Sequence, residues 1–138
     1  MSAKDVFHNN VKSALQKEGW QISHDPLYIN FGGVEMYIDL GAQRLIGAQK
    51  DGEKIAVEVK SFLGASTISE FHTAIGQFIN YRSALKATEA ERVLYLGVPL
   101  EIYNTFFQLQ FTQIVIQENQ VRFLVFDPEN EVIVLWER

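Results

Sequence analysis

Apolar positions along the chain switch between a helical and a two-residue period, and the switches mark out the elements. Val6, Phe7, Val11, Ala14 and Leu15 recur at helical spacing and stop at Gly19. Ser2 with Asp5 three residues later forms a capping box that predicts where this helix opens. Residues 20–23 read as a short strand and 27–29 as another, before Gly32-Gly33 punctuates the chain. From there Val34, Met36, Ile38 and Leu40 alternate with Glu35 and Asp39, the pattern of one strand with an apolar and a polar face. Asp51-Gly52, flanked by 44–50 and 54–61, is a hairpin signal.

Beyond the hairpin, Thr67 followed by Glu70 forms a second capping box. It opens a helix carrying Phe71, Ile75, Phe78, Ile79, Arg82 and Leu85 at helical spacing. Residues 92–98 are nearly all apolar, as in a buried central strand, and Pro99 ends the run. Tyr103, Phe106 and Phe107 read as core, and a helix is predicted over about 109–118. Strands over 121–126 and 132–136 flank the turn Asp127-Pro128-Glu129-Asn130. This order predicts an α/β fold, a mixed sheet covered by helices.

Composition narrows the class. A chain of 138 residues is enough for one core, so 1–138 reads as a single domain. Its 47% hydrophobic content is that of a folded globular protein. With no cysteine, disulfides and thiolate metal sites are excluded, which suits a cytoplasmic protein. No stretch approaches the roughly 20 apolar residues of a membrane span. The net charge of -5 argues against strong unaided affinity for nucleic acid, since the field repels phosphates and no Lys/Arg run compensates.

The candidate chemistry sits around the hairpin. In Ile55-Ala56-Val57-Glu58-Val59-Lys60, period two puts Glu58 and Lys60 on one side with Ala56. Ile55, Val57 and Val59 point the other way. If the Asp39 strand pairs with this one, two carboxylates and an ammonium converge. Mg²⁺, or Mn²⁺ in its place, takes one or two carboxylates and keeps several waters. Asp39 and Glu58 are the expected ligands, with the backbone carbonyl of Val59 in reach and Lys60 as the cation that orients water or stabilises developing charge. The alternative is an ordinary surface ion pair, of little energetic weight. Gln77 and Tyr81 lie at i and i+4 on the second helix and share a face. They are the expected assistants, against the alternative of a core-edge pair. Asp5 and His8, one turn apart on the first helix, and Glu35, on the Asp39 face, are expected auxiliaries. His24-Asp25 reads as a turn before Pro26 and His72 as an exposed helix residue, and no histidine pair has zinc-ligand spacing.

Asp39, Glu58-Val59-Lys60 and Gln77-x-x-x-Tyr81 resemble the PD-(D/E)xK nuclease superfamily, with the Gln-Tyr helix element of its RecB-like and resolvase-like branches. The whole chain is similar to the XisH family, the cyanobacterial excision-controlling factors of the fdxN element. That similarity is carried by Trp20, His24-Asp25-Pro26-Leu27, Phe31-Gly32-Gly33, Tyr37-Ile38-Asp39-Leu40-Gly41, Glu58-Val59-Lys60-Ser61-Phe62, Glu70-Phe71-His72, Gly76-Gln77-Phe78 and Asn104-Thr105-Phe106-Phe107. It implies a restriction-endonuclease-like fold, a role in programmed excision of a DNA element, DNA as partner and a protein of the XisI family alongside. Ile38 departs from the superfamily, which usually places proline before the aspartate. Two functions of different class remain: a Mg²⁺-dependent DNA endonuclease, or a non-catalytic regulatory subunit on a nuclease-like fold.

Overall fold

The computed structural model describes residues 4–44 and 52–138. Helix α1 (His8–Lys17) leads into β1 (Gln21–His24), β2 (Leu27–Phe31), β3 (Val34–Ile38), β4 (Leu40–Arg44) and β5 (Glu53–Val59). The 22-residue α2 (Thr67–Thr88) returns the chain to β6 (Arg92–Pro99). Helix α3 (Leu100–Asn104), a 3₁₀ turn and α4 (Gln110–Glu118) then precede β7 (Phe123–Asp127) and β8 (Val132–Glu137).

Six strands form one sheet in the order β1-β4-β5-β6-β7-β8. The β5-β6 and β6-β7 pairs are parallel and the outer pairs antiparallel. Parallel neighbours need a crossover, and α2 and the α3–α4 segment supply the two. The fold is thus α/β with a mixed sheet flanked by helices. Strands β2 and β3 stand apart as a two-stranded ribbon. Its two-residue loop, Gly32-Gly33, has φ +60° and +85°, the left-handed backbone that a tight hairpin of this kind requires.

Helix α1 covers one face of the sheet and α2 the other, and β5 shows how the sequence assigns them. Ile55, Val57 and Val59 pack with Val11 and Leu15 on the α1 side, whereas Ala56 packs with Phe71 and Phe78 on the α2 side. Phe107 is buried, and Tyr103 and Phe106 pack against the same α2-side core, as expected.

Several elements differ from the sequence expectation. Helix α1 starts at His8, and Asp5 lies ahead of it, accepting the Phe7 N–H at 2.9 Å; Ser2, its expected capping partner, lies outside the described residues. The cap of α2 is Ser66, whose hydroxyl accepts the Ser69 N–H at 3.3 Å, and Thr67 is the first helical residue. Glu70 turns to the Gly64 N–H at 2.9 Å instead of closing a capping box. The hairpin pairs Leu40–Arg44 with β5, Arg44 opposite Glu53. Residues 45–51, with the expected strand over 44–50 and the Asp51 turn, otherwise lie outside the described residues. The expected strand through Asp39 divides: Val34–Ile38 belongs to the ribbon and Leu40–Arg44 to the main sheet.

Arg92, read from sequence only as the start of a strand, is a buried tie across three strands. Its Nη1 donates to Ile55 O at 2.8 Å and Ala42 O at 3.3 Å, while Nε and Nη2 reach Glu89 Oε1 at 3.2 Å. Removing one side of a buried charged network leaves its partners unsatisfied. Arg92→Ala is therefore expected to lower stability by about 2–4 kcal/mol in urea denaturation, and Glu89→Ala, at a half-exposed partner, by less. A loss under about 1 kcal/mol in Arg92→Ala would show that the strands hold without this tie.

Candidate active site

Asp39 is the residue at which the chain changes sheets. Ile38 packs on the α2 side and Leu40 on the α1 side, so the backbone turns over between them. The turn is fixed by two reciprocal bonds to β5. Asp39 Oδ2 accepts the Val59 N–H at 2.7 Å, and the Asp39 N–H donates to Glu58 Oε1 at 3.2 Å. Glu58 points to the same face as Ala56, as the alternation predicts, and is 6% exposed. Lys60, just past the end of β5, places Nζ 3.7 Å from Glu58 Oε2, and its N–H donates to Gly97 O at 3.0 Å. The Val59 N–H faces Asp39, and in an extended strand the carbonyl of the same residue leaves on the same edge, so Val59 O is directed toward Asp39.

Helix α1 brings a third group. His8 is buried, its Nε2 is 2.7 Å from Asp25 Oδ1 and its Nδ1 is 3.9 Å from Asp39 Oδ1. Lys12, one turn along, holds the other Asp25 oxygen at 2.8 Å. Asp25 thus orients His8, and His8 Nδ1 is buried with no hydrogen-bond partner on the side of Asp39.

The electrostatics follow from burial. Burial and then the neighbouring Asp39 charge push Glu58 up to about 8, against the opposing pull of Lys60. Asp39 is raised as well, by burial, against the Val59 N–H bond and His8. Burial and the charges of Glu58 and Asp39 push the Tyr81 hydroxyl up to about 12. At Asp25 burial also acts upward, but the bonds from Lys12 and His8 outweigh it and hold the carboxyl below the usual range.

Of the residues expected from sequence, the structure gathers Asp39, Glu58, Val59, Lys60 and His8, and Tyr81 on α2 feels the charges of the pair. Gln77 lies one turn before Tyr81 on α2 and its Oε1 is buried without a partner. Asp5 is corrected from a helical residue reaching the cleft to a clamp on the chain after Lys60: its Oδ2 accepts the Ser61 N–H at 2.9 Å. Glu35 is also corrected. It is exposed in the ribbon opposite Asn30, its charge falls on Tyr28, and it is not among the groups that perturb Asp39 or Glu58. Asp25 and Lys12 were missed. His24, next to Asp25 in sequence, is exposed against Ser23, whereas Asp25 turns to His8, 17 residues away.

A buried Glu58 beside a partly buried Asp39, both raised, with an unpartnered imidazole nitrogen behind Asp39, could hold a divalent cation. Among the described residues no three His, Cys, Asp or Glu side chains close into a cage. The donor set instead matches an ion that takes one or two carboxylates and completes its shell with water, as Mg²⁺ does.

The family model for XisH protein matches residues 1–134. The crystal structure of an XisH family protein from Nostoc punctiforme PCC 73102 is 58% identical, covers 97% of this chain and 100% of its own, and has a TM-score of 0.89. That of an fdxN element excision controlling factor protein from Anabaena variabilis is 57% identical, covers 98% and 100%, and has a TM-score of 0.88. No match is found among curated proteins.

Between the ordinary carboxyl value of 4.5 and about 8, folded Glu58 keeps a proton that the unfolded chain has released. Rising pH therefore favours unfolding across that window, and the effect levels off above it. The melting temperature of metal-free protein should fall from pH 5 to pH 8, and Glu58→Gln should flatten the profile. A wild-type profile that is flat or rises would contradict the buried, protonated Glu58.

Proposed function

We propose that this chain, which belongs to the XisH family, acts in excision of a DNA element as a Mg²⁺-dependent endonuclease. The relative from Anabaena variabilis is an fdxN element excision controlling factor, which supports a role in excision control. The observation that carries the hydrolytic reading is the pairing of Asp39 with the buried Glu58, with Lys60 at its rim. A parallel centre at β5-β6, an antiparallel β4 and a covering α2 support a restriction-endonuclease-like reading of the fold and a place in the PD-(D/E)xK superfamily.

Asp39, Glu58 and the carbonyl of Val59 would hold the ion, with His8 Nδ1 behind Asp39. When bound, Mg²⁺ supplies a Lewis acid that polarises the phosphoryl oxygen and lowers the pKa of a coordinated water. Glu58 must give up its proton to join Asp39 as a ligand, so affinity for the ion should rise with pH toward about 8. The Lys60 ammonium, held only loosely by Glu58, is free to face the attacking water and the negative charge that grows on the phosphoryl group. Tyr81, kept as a neutral phenol by its surroundings, is a hydrogen-bond donor at neutral pH, and Gln77 on the same helix face is a second polar group for orienting phosphate. Asp25 keeps the imidazole of His8 in one orientation.

The net charge of -5 favours a second reading, a regulatory subunit on the same fold whose DNA contacts come from elsewhere. On either reading a protein of the XisI family is the partner proposed to supply basic surface, and the DNA is that of the cytoplasm.

Calorimetry with Mg²⁺, Mn²⁺ and Ca²⁺ and cleavage of plasmid DNA separate the two. Wild type should bind the ions, and Asp39→Asn and Glu58→Gln, which keep an oxygen to accept the Val59 and Asp39 N–H groups, should lose both binding and cleavage with the fold retained. Lys60→Ala should keep ion binding and lose cleavage by about 10²–10³-fold, the usual effect of removing one donor to a transition-state charge. Cleavage that survives Glu58→Gln, or a wild type that binds no ion, would leave the regulatory reading.

A further inference from the structure

Beside Lys60 the surface sinks into a groove lined by Lys60, Ser69, Glu70 and Thr73. Ser69 and Thr73 lie one turn apart on α2, so their hydroxyls leave the helix on the same face. The chain bordering the groove is pinned at two points. Asp5 takes the Ser61 N–H at one end, and Glu70 takes the Gly64 N–H at the other, each at 2.9 Å. A Cβ at position 64 would meet the Glu70 carboxylate at 3.0 Å, so the glycine lets that carboxylate lie close against the chain. Between the pins Phe62 holds φ +57°, with its ring buried 6.1 Å from that of Phe107.

The groove therefore has a fixed wall and a definite charge pattern. Its one carboxylate, Glu70, is engaged by a backbone N–H. The Thr73 hydroxyl donates to Ser69 O at 3.2 Å, which leaves Ser69 to present a donor beside the Lys60 ammonium. An ammonium beside one free hydroxyl donor, with the neighbouring carboxylate tied back, is the chemistry of a contact to a backbone phosphate. The groove starts at the same lysine that faces the Asp39–Glu58 pair, so a strand cleaved at that pair would continue into it. We infer that this groove seats the phosphate next to the cleaved one, and that the bound nucleic-acid strand crosses the first two turns of α2 at Ser69 and Thr73. This rests on the nuclease reading above, and nothing in that reading assigns a role to either residue.

The test uses the full chain, a fluorescently labelled DNA duplex and Ca²⁺, with anisotropy read over a range of salt concentrations. Ser69→Ala should weaken binding about 10-fold, for one lost hydrogen bond to a charged group. Thr73→Glu should weaken it further. Thr73→Lys should tighten it and steepen the slope of log affinity against log salt by about 0.9, the signature of one added phosphate contact on duplex DNA. Calorimetric Ca²⁺ binding should be the same in every variant, which separates the groove from the metal pair. Equal affinity and equal salt slope in all variants, with wild type binding DNA, would overturn the groove and leave the nuclease reading intact. A wild type that binds Ca²⁺ but no DNA, even with an XisI-family protein added, would overturn both.

Discussion

The reciprocal lock between Asp39 and the end of β5 is the constraint on which the rest of the arrangement depends. One carboxylate accepts from the Val59 N–H while the backbone of the same residue donates to Glu58. These bonds extend the β4-β5 ladder beyond Leu40 opposite Val57, using side chains where the strand itself has turned away. They fix where the ribbon of β2 and β3 leaves the sheet, and they hold two acidic groups side by side. The arrangement is costly, because like charges brought together away from water resist ionisation. It persists because each carboxylate also satisfies a backbone N–H that the strand switch would otherwise leave unpaired.

Helix α1 and the chain after β5 are organised around the same lock. His8 reaches Asp39 from one side, and Asp5 secures Ser61 from just before the helix. A single segment, residues 5–12, thus reaches Asp39, the chain beyond Lys60 and Asp25. Lys60 stands between these supports, with its backbone anchored to Gly97 and its side chain left at the rim. A rigid backbone and a loosely held ammonium suit a group that must meet charge developing outside the protein.

Much of this was legible in the sequence, and the failures have local causes. Alternation along 55–60 gave the facing of Glu58, because β5 is buried on both sides and each side chain must choose a layer. The same rule failed at Asp39. The run 34–40 keeps strict parity in sequence, yet Ile38 and Leu40 pack on opposite faces of the main sheet. Parity describes a strand that stays in one sheet and carries no sign of a crossing into another. The capping boxes failed for a related reason: Asp5 and Glu70 have the right spacing, but long-range and loop N–H groups at Ser61 and Gly64 compete for their carboxylates and win. Arg92 and the Asp25–His8 pair were invisible because their partners lie 37 and 17 residues away.

The contrast between two carboxylate settings in this one molecule bears most directly on the chemistry. At Asp25 the fold neutralises an acid fully, with Lys12 at 2.8 Å and His8 at 2.7 Å, and the carboxyl is lowered. At Asp39 and Glu58 it does not. The nearest ammonium stands 3.7 Å away and the imidazole nitrogen 3.9 Å, outside hydrogen-bond reach, and both acids are raised. An ion pair built for stability would follow the first pattern, since removing the residual charge adds to folding free energy. Leaving the second pair short of positive charge lowers stability as the pH rises from 4.5 toward about 8. On the proposed nuclease reading, the same shortage would leave oxygen ligands for a cation from outside. The overall charge of -5 weighs against DNA only as an average over the surface. A divalent ion at this pair would reverse the sign of the field where a phosphate has to approach.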